Sequence, residues 1–362
     1  MLLKKNLLLA STFALLSLNL TCSSVTAPEE EQPGRRDYVW TVDTIAYPGS
    51  WQTLMYDIWG SSPNDVYVVG HNDRGYGKMF RFDGNKWKEV DLGEIFKGGI
   101  DLKSIIGFAK NDVWAVGDRI YDNPNRPPNF LDSSLIIRFN GINWIEYKVT
   151  NGRALRSIMG IMPNELWACG NGGTIWHYTE GKWVKESVDV EIPPGGEFFL
   201  NDIQPMPNGD VFMIGFIHQN DIVKTTRFFF KRENGKWRIL DTAIIMLNRI
   251  EEKWGYADLW LSPKGKLYSC GGGVYEWDGK SWRQILVHPI WLAKMFGTGE
   301  KNIFIAGHLG VVLHYNGSDW YQFSELDFAK AYWSGAVIGN EVFLVSMIGE
   351  YDTAIIKGKL KN

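Results

Sequence analysis

The sequence has few cysteines, no large excess of charge of either sign, and no apolar run long enough to span a membrane. Three cysteines among 362 residues are too few, and of odd number, for a disulfide framework. The 38 basic and 41 acidic side chains give a formal charge of −3, so the basic footprint of a nucleic-acid-binding domain is absent. Hydrophobic residues make up 45% of the chain, which excludes general disorder. The 39 Gly, 17 Trp, 19 Phe and 15 Tyr are typical of short strands joined by tight turns.

The N-terminal segment has the features of an export signal. Two lysines precede an apolar run at residues 7–20, which is too short for a stable membrane span and predicts a signal peptide at 1–21. Residues 19–22 resemble a bacterial lipoprotein processing site, which implies that Cys22 is lipidated and anchors the protein in the cell envelope, at the outer membrane or cell surface. Ordinary cleavage beside an incidental cysteine is the alternative. Residues 22–36 contain three consecutive Glu and predict a flexible acidic linker before a domain at 37–362.

An internal repeat occupies the rest of the chain. Each copy reads as four strands, a to d: an apolar stretch, a strand ending in Gly, another strand, and an Asn/Asp-Gly turn followed by Trp. The seven copies span residues 56–87, 103–144, 156–183, 201–237, 257–282, 293–320 and 334–358. Seven four-stranded units cover their faces by radial stacking, so we predict an all-β, seven-bladed β-propeller. The last copy lacks strand d, and Tyr38–Ile45 has the Trp and the alternation needed to complete that blade and close the ring.

The repeats resemble those of a known group of proteins. Copies such as WGSSPNDVYVVG at 59–70 are similar to the WGSSPNDVWAVG-type repeats of bacterial lipoprotein propellers, which are relatives of sialidase-like and photosystem II assembly-factor propellers. The resemblance covers residues 37–360 and implies a scaffold or binding platform. It does not extend to sialidase activity. The sialidase Asp-box has one residue between Asp and Gly, whereas Asp83 and Gly84 are adjacent.

Residues that look catalytic are explained by the repeat. Residues 279–281 resemble the end of a phosphate-binding loop, but the Gly required at position 274 is Val. His177 and His314 occupy a strand-c position that other copies fill with Arg, Lys or Glu, so we expect a solvated or blade-edge position there. Cys169 and Cys270 precede the Gly of strand b in non-adjacent copies and predict buried, unbonded thiols. We predict no cofactor and no metal site.

The irregular segments of the repeat point to one side of the propeller. The connections b–c and d–a vary in length and share one side, here called the top face, whereas the a–b and c–d turns are nearly constant. Loops on a rigid scaffold tend to carry binding residues. The candidate ligand-binding residues on this face are His71, Arg74, Tyr76, Asp118, Arg119, Tyr121, Arg126, Asn171, His218, Trp254, Tyr256, Trp291 and His308. Their aromatic and polar groups suit a protein or glycan ligand, and solvated loops without a ligand are the alternative.

A second repeat position predicts a ring of residues around the central channel. In the seven copies this position, just before the core of strand a, is filled by Asp57, Ser104, Ser157, Asp202, Asp258, Lys294 and Ala331. The candidates for a role in the channel are Asp57, Asp202, Asp258 and Lys294. Carboxylates in such a ring can bind a cation or act as acid and base, or can bond to neighbouring backbone.

These patterns predict an exported, lipid-anchored propeller that acts as a non-catalytic binding or scaffold module. Its expected partners are the membrane, through Cys22, and a protein or polysaccharide outside the cytoplasm. The competing hypothesis is a glycoside hydrolase or lyase with acidic residues at the channel mouth, for which carboxylates roughly 5–10 Å apart would be evidence. A purely structural component of an envelope assembly is the third possibility.

Overall fold

The computed structural model describes residues 32–96, 99–125, 128–220, 223–246 and 249–362. Residues 33–362 form one unit, built almost entirely of β-strands. The predicted signal peptide, Cys22 and most of the predicted linker lie outside the described residues. Within the described ranges, no helix has the length and apolar character needed to cross a membrane. Two short 3₁₀ turns occur there, at Gly93–Phe96 and Ser324–Leu326.

The first strand and the first three blades follow the order of the repeat. Strand β1 (Tyr38–Ile45) precedes blade 1. Blade 1 comprises β2 (Thr53–Ser62), β3 (Asp65–Asn72), β4 (Met79–Phe82) and β5 (Trp87–Glu89). Blade 2 comprises β6 (Gly99–Ala109), β7 (Asp112–Asp122), β8 (Phe130–Phe139) and β9 (Trp144–Glu146). Blade 3 comprises β10 (Leu155–Met162), β11 (Glu165–Gly170), β12 (Ile175–Thr179) and β13 (Lys182–Glu186).

The last four blades contain the remaining strands. Blade 4 comprises β14 (Gly196–Pro205), β15 (Val211–Gln219), β16 (Lys224–Glu233), β17 (Lys236–Met246) and β18 (Arg249–Ile250). Blade 5 comprises β19 (Asp258–Leu261), β20 (Leu267–Cys270), β21 (Gly273–Trp277) and β22 (Trp282–Val287). Blade 6 comprises β23 (Leu292–Gly299), β24 (Asn302–Gly307), β25 (Val312–Tyr315) and β26 (Trp320–Gln322). Blade 7 comprises β27 (Ala331–Ile338), β28 (Glu341–Ile348) and β29 (Asp352–Leu360). Blade 4 differs from the predicted four strands by the short fifth strand β18.

The seven-bladed, closed propeller is confirmed. The first strands of successive blades contact one another around the centre, and β27 of blade 7 returns to contact β2 of blade 1. Strand β1 pairs antiparallel with β29 along its full length, from Tyr38 opposite Leu360 to Ile45 opposite Thr353. The first strand of the propeller is therefore the outer strand of its last blade, as predicted. The unit also begins before residue 37, because the Gly34 N–H donates to the Lys301 carbonyl at 2.7 Å.

Each blade buries both faces against its neighbours, which explains why strand b is apolar at nearly every position. In β3, Val66 and Val68 belong to the core shared with blade 7, whereas Tyr67 and Val69 belong to the core shared with blade 2. Successive side chains of a strand point to opposite faces, so one continuous apolar run supplies two cores. Seven such clusters fill the seven interfaces between blades.

Two of the segments predicted as top-face loops are extended β-hairpins. In blade 2 the pairing of β7 with β8 continues to Asp122 opposite Phe130. In blade 4 the pairing of β15 with β16 continues to Gln219 opposite Lys224. The sequence prediction missed these extensions because their polar, mixed composition resembles that of loops. Both hairpins lie on the top face, together with the other b–c and d–a connections.

The strand-c histidines are not solvated as predicted. His314 is fully buried, and its Nε2 lies 2.8 Å from Asn302 Oδ1. Burial lowers the pKa of His314 to about 4, so the ring is neutral at physiological pH. His177 lies stacked on Trp167 at 3.7 Å and bonds to Glu165 at 2.9 Å. Cys169 and Cys270 are buried free thiols, in agreement with the sequence analysis.

Candidate functional site

The top ends of the inner strands are shaped by β-bulges. In every blade but the fifth, one residue near the top end of strand a has no partner in strand b. These residues, which we call the bulge residues, are Tyr56, Lys103, Arg156, Asn201, Ala293 and Trp333. A bulge bends its strand and redirects the side chain. Several bulge residues contact the top-face residues of a neighbouring blade, and together they surround the mouth of the channel.

The carboxylates of the predicted channel ring join neighbouring blades. Asp57 accepts hydrogen bonds from Ser104 Oγ of blade 2 at 3.0 Å and from Ser334 Oγ of blade 7 at 2.7 Å. Asp202 accepts one from Ser157 Oγ of blade 3 at 2.5 Å and another from a backbone N–H of blade 5 at 2.7 Å. These acids therefore stabilise the ring of inner strands. The bulge in blade 7 also corrects one prediction, because it places Ser334 in the ring instead of Ala331.

The fifth and sixth ring positions form an ion pair. Lys294 Nζ lies 2.7 Å from Asp258 Oδ1, and the Met295 N–H donates to Asp258 Oδ2 at 2.9 Å. Burial opposes the charge on Lys294, but Asp258, with the more distant channel acids, raises the pKa of Lys294 overall. Lys294 is therefore a cation that neutralises the acidic ring. All three channel carboxylates are engaged by protein donors.

Blades 1 and 2 share a buried cluster of charges at the mouth. Asp101 is 8% exposed, and its Oδ1 lies 2.7 Å from His71 Nδ1 and 3.2 Å from Lys78 Nζ. Asp101 Oδ2 lies 3.5 Å from Lys103 Nζ, which is 4.4 Å from the centre of the Tyr56 ring. Burial alone raises the pKa of Asp101, but the His71 hydrogen bond and the lysine charges lower it overall. Asp101 is thus an ionised carboxylate with its partners in place.

Asp118 lies beside this cluster and differs from Asp101. The two residues are directly opposite each other in the β6–β7 ladder. Asp118 is 6% exposed, and its Oδ1 accepts no hydrogen bond within the described part of the chain. Burial raises the pKa of Asp118 to about 6, against the opposing effect of Lys103.

An aromatic arc crosses the mouth from blade 3 to blade 6. The Arg156 guanidinium lies 4.8 Å from the centre of the Phe199 ring, and Phe199 lies 5.1 Å from Phe216. Phe216 is 6.3 Å from Tyr256, which is 4.5 Å from Trp291. The rings are partly exposed, so they present a continuous apolar surface beside a cation. Tyr256 and Trp291 were both predicted from the sequence, and this arc brings them together.

Two further pairs line the same side of the mouth. Arg227 is 4% exposed, lies 3.4 Å from the centre of the Tyr256 ring, and donates to Glu252 at 3.0 Å. His308 and Trp333 meet edge to face at 5.1 Å. Burial lowers the pKa of His308, so the ring is neutral at physiological pH. His308 Nε2 and Trp333 Nε1 are both buried and accept or donate no hydrogen bond within the described ranges.

Exposed aromatic side chains are concentrated on the top face. Among the described residues, six of the seven aromatic side chains in the exposed class lie there, and Tyr321 on an outer strand is the seventh. We call these six the crown aromatics: Trp51 (83% exposed), Tyr76, Tyr121, Phe130, Phe328 and Tyr351. They occupy blades 6, 7, 1 and 2, which are consecutive around the ring. The aromatic arc covers blades 3 to 6, so the two sets meet at blade 6.

The loop that carries Trp51 is held in place by polar contacts. Asp73 accepts a hydrogen bond from Ser50 Oγ at 2.6 Å and one from the Trp51 N–H at 3.2 Å. The Ser50 hydrogen bond lowers the pKa of Asp73 to about 2, so the carboxylate is charged at physiological pH. Arg74, a predicted ligand residue, donates from Nε to the Gly49 carbonyl at 2.8 Å. The most exposed aromatic residue of the crown therefore stands on an ordered loop.

Several predicted site residues have other roles. Trp254 is 1% exposed and packs in the core between blades 4 and 5, so it is unavailable to a ligand, contrary to the sequence expectation.

Arg119 is paired with Glu146 at 3.0 Å, away from the mouth. His218 bonds to Thr225 at 2.9 Å within its own hairpin. Asn171 accepts from Arg156 Nε at 2.7 Å and so orients a bulge residue. Arg126 lies outside the described residues.

The sequence analysis overlooked the bulge residues and Asp101. A signal for the bulge residues was present, because Tyr56, Lys103 and Arg156 each directly precede a residue of the predicted channel ring. The bulge that turns them toward the mouth is a feature of strand pairing and leaves no separate mark in composition. Trp51 was also overlooked, because it lies before the first repeat copy, which begins at residue 56.

Grooves at the outer rim arise from the repeat itself. One groove of about 900 Å³ between blades 1 and 2 is lined by Tyr67, Arg81, Phe139 and Trp144, among others. Another of about 570 Å³ between blades 4 and 5 is lined by the equivalent residues Phe212, Lys231, Trp277 and Trp282. A feature that recurs at equivalent positions is a property of blade packing, so we place the specific site at the mouth. Within the described ranges, no group of three or more His, Cys, Asp or Glu is arranged to hold a metal ion.

The fold and the mouth define a seven-bladed β-propeller. Its backbone is similar to a solved structure titled "YCF48 bound to D1 peptide", with a TM-score of 0.60 and 15% identity, over 92% of this chain and 100% of that one. It is also similar to the WD40 β-propeller domain of Doa1, with a TM-score of 0.54 and 12% identity, over 88% of this chain and 96% of that one. No protein-family model matches the sequence, and no curated protein matches it. At these identities the likeness establishes the fold alone.

Proposed function

We propose that the protein is a non-catalytic binding module whose top face docks a protein outside the cytoplasm. The observation that carries this proposal is the crown of exposed aromatic side chains on four consecutive blades. Exposed apolar clusters on one side of a soluble domain mark interaction surfaces, and Trp and Tyr dominate the binding energy of such interfaces. The ordered Trp51 loop lowers the entropy lost on binding.

A protein fits this surface better than a polysaccharide. The crown aromatics are spread over four blades, which suits a broad partner, whereas sugar sites gather stacking rings and hydrogen-bonding groups in one cleft. The similar structure of YCF48 is bound to D1 peptide, which supports a protein ligand. A glycan that binds along the aromatic arc is the alternative outcome of the experiment below.

The carboxylates of the mouth do not support the glycoside hydrolase or lyase alternative. Asp57, Asp202 and Asp258 accept hydrogen bonds that join the blades. Asp101 and Asp118 lie side by side, but they are only 8% and 6% exposed, so the pair is not placed to flank a glycosidic bond. Acids with these roles stabilise the ring and shape the mouth.

The experiment is a binding screen with the full-length chain against a displayed peptide library and a glycan array. The selected ligand is then measured against Trp51→Ala, Phe130→Ala and Phe328→Ala. We expect each variant to weaken binding by about 5-fold to 30-fold, as for aromatic hot spots. The matched control is Ile142→Ala, because Ile142 is 89% exposed but lies in a c–d turn on the opposite face. If all four variants bind the ligand with the affinity of the wild type, the site lies elsewhere. If only glycans are selected, the polysaccharide hypothesis is favoured.

The proposal includes export and anchoring through a lipid on Cys22. Its support is the sequence of residues 1–22. Mass spectrometry of protein extracted from membranes is expected to find an N-terminal diacylated Cys22. A Cys22→Ala variant is expected to remain unprocessed. A soluble mature form that begins at another residue would contradict the lipid anchor and leave the binding proposal standing.

A further inference from the structure

The outer-rim groove between blades 1 and 2 is large enough for a peptide segment. It has a volume of about 900 Å³, within the usual range of ligand sites. The groove extends from the c–d turns, at Asp83 and Ile142, to the top connection between the two blades, at Leu92. Its wall on blade 2 carries the half-buried rings of Phe139 and Trp144. Because the groove between blades 4 and 5 has a similar set of rings, the shape alone does not indicate a specific site.

Two of the carboxylates that line the groove have no cation as a partner. Glu89 Oε1 accepts the Gly77 N–H at 2.6 Å, and Asp91 Oδ1 accepts the Gly93 N–H at 2.7 Å. Both side chains are exposed on the wall of blade 1, and neither forms an ion pair within the described ranges. Each therefore has a second oxygen available to a donor from outside the chain.

Other charges of the same groove are balanced within the protein. Asp65 lies 2.6 Å from Arg81, and Asp83 lies 2.5 Å from Lys88. These pairs leave an excess of negative charge at the two unpaired acids, at the top end of the groove.

The groove between blades 4 and 5 has the opposite balance of charge. Its acids Asp241 and Glu252 are paired, with Lys253 at 2.8 Å and with Arg227 at 3.0 Å. Its exposed Lys280 forms no ion pair in the part of the chain that the structure describes. Two grooves of the same shape but of different charge are not explained by blade packing, because packing repeats and the charges do not.

The two walls of the groove between blades 1 and 2 match an extended chain that is cationic on one side and apolar on the other. Glu89 and Asp91 are two residues apart, at the end of β5. In an extended chain, alternate side chains point to the same side and repeat at about 7 Å, so two cations of a bound strand have a matching spacing. The side chains between them point to the opposite side, where Phe139 and Trp144 lie.

We infer that this groove binds an extended segment of a partner protein in which Lys or Arg alternates with apolar residues. The cationic side chains pair with Glu89 and Asp91, and the apolar ones pack against the rings on blade 2. Complementary charge then selects the segment and sets its register in the groove. This site goes beyond the proposed top-face function, because it lies on the outer rim and does not depend on the crown aromatics.

The test is an NMR titration of the full-length chain labelled at the isoleucine methyl groups. Ile95 and Ile142 line opposite ends of the groove, and their signals are assigned by their loss in Ile95→Val and Ile142→Val. The probe is the acetylated and amidated peptide Lys-Leu-Lys-Leu-Lys. Its matched controls are Gln-Leu-Gln-Leu-Gln, which lacks the charge, and Lys-Ser-Lys-Ser-Lys, which lacks the apolar side chains.

We expect the Lys-Leu peptide to shift both signals in a saturable way and to bind more tightly than either control. Equal binding of the glutamine peptide would show that the acids are not used, and equal binding of the serine peptide would show that the rings are not used. Either result, or the absence of any shift, would overturn the inference.

A paired substitution tests the two acids directly. Glu89→Gln with Asp91→Asn removes both charges and retains an acceptor oxygen for each backbone N–H. It is expected to weaken binding of the Lys-Leu peptide by about 3-fold to 10-fold, as for the loss of two exposed ion pairs. The matched control is Asp189→Asn with Glu191→Gln, which removes two exposed acids of the same spacing between blades 3 and 4. An equal effect of both pairs would show general attraction of a cation and contradict the site.

One further variant separates this inference from the proposed function. Trp51→Ala is expected to bind the Lys-Leu peptide as the wild type does, because Trp51 belongs to the crown. If the groove binds no peptide while the crown variants weaken the ligand from the library screen, only the inference fails. If the library yields no ligand, the proposed function fails, and the titration still decides the groove.

Discussion

At the scale of single residues, each blade repeats a polar pair over an aromatic ring. The residue at the start of strand b, or just before it, pairs with a residue of strand c, as in Asp112–Arg138 at 2.8 Å, where Arg138 also lies 4.8 Å from the centre of the Trp114 ring. In blade 5 the charges are reversed, and Lys266 lies 3.7 Å from Glu276. The sequence shows the residues at both positions, but only the structure reveals that they are in contact, so that their charges reverse together.

The residue scale also contains two neighbouring acids with opposite effects on stability. Asp101→Asn is expected to lower the free energy of unfolding by about 2–4 kcal/mol near pH 7.5, because it leaves the buried Lys78 and the partly buried His71 without their carboxylate. The Asp101 pKa lies below its usual value, so the contribution is present at neutral pH and is lost as the pH falls.

Asp118→Asn is expected to raise the free energy of unfolding, which is the opposite of the effect of Asp101→Asn. Because burial raises the Asp118 pKa to about 6, the wild type loses stability as the pH rises from about 4 to about 6. The variant escapes that loss, so it is expected to be more stable by on the order of 1–3 kcal/mol near pH 7.5 and equal to wild type near pH 4. Urea denaturation at pH 4 and pH 7.5 measures the free energy of unfolding of Asp101→Asn and of Asp118→Asn beside the wild type. Destabilisation by both at neutral pH would show that the Asp118 oxygen is satisfied in solution.

At the scale of elements, the closure strand β1 joins the two ends of the ring. Tyr38 belongs to the core between blades 6 and 7, and Ile45 to the core between blades 7 and 1. The preceding residues extend the contact to blade 6, where Arg36 donates to the Asp319 carbonyl at 2.7 Å. One strand thus stabilises two interfaces and covers the edge of β29.

Deletion of residues 37–45 is expected to lower the melting temperature of the whole domain by on the order of 10 °C or more, because a propeller without closure exposes two cores. A synthetic peptide of residues 34–46 is expected to restore part of the loss in a concentration-dependent way, and a scrambled peptide is not. If the deleted protein does not fold, Ile45→Ala provides the test. Ile45→Ala is expected to lower the free energy of unfolding by about 2–5 kcal/mol. Val42→Ala, at a position that is 50% exposed, is expected to change it little.

At the scale of the whole molecule, the chain enters and leaves the propeller on the face opposite the crown. The Lys361 N–H donates to the Asp37 carbonyl at 3.0 Å, and β1 and β29 meet there at their c–d end. Residues 22–33 can span at most about 40 Å when extended. With a lipid on Cys22, the crown aromatics are therefore expected to point away from the membrane.

Cysteine labelling on intact membranes tests this orientation. Leu309→Cys places a thiol on the top face and Ile142→Cys places one on the opposite face, at positions 67% and 89% exposed. A large polyethylene glycol maleimide is expected to react faster with the top-face thiol on membranes and equally with both in detergent. The native Cys169 and Cys270 are buried and give no background. Faster labelling at position 142 on membranes would reverse the orientation.

The fold could be predicted from the sequence because its causes are local and repeated. The strand pattern and turn chemistry recur in seven copies and the Trp of strand d in six, and the missing last strand has a matching segment at Tyr38–Ile45. The channel residues Asp57, Asp202 and Asp258 were found for the same reason, although Ala331 was assigned in place of Ser334. A single bulge moves the register by one residue, and composition does not show it.

The repeat therefore determined the number of blades, the closure and the side that carries the variable segments. The tertiary structure alone decided which of those residues face a ligand. Trp254 is in the core and Trp51 in solvent although both are tryptophans in d–a connections, because burial depends on which blade packs over the segment. The partner of Asp101 and the missing partner of Asp118 are likewise set by contacts between blades, which join residues far apart in the chain.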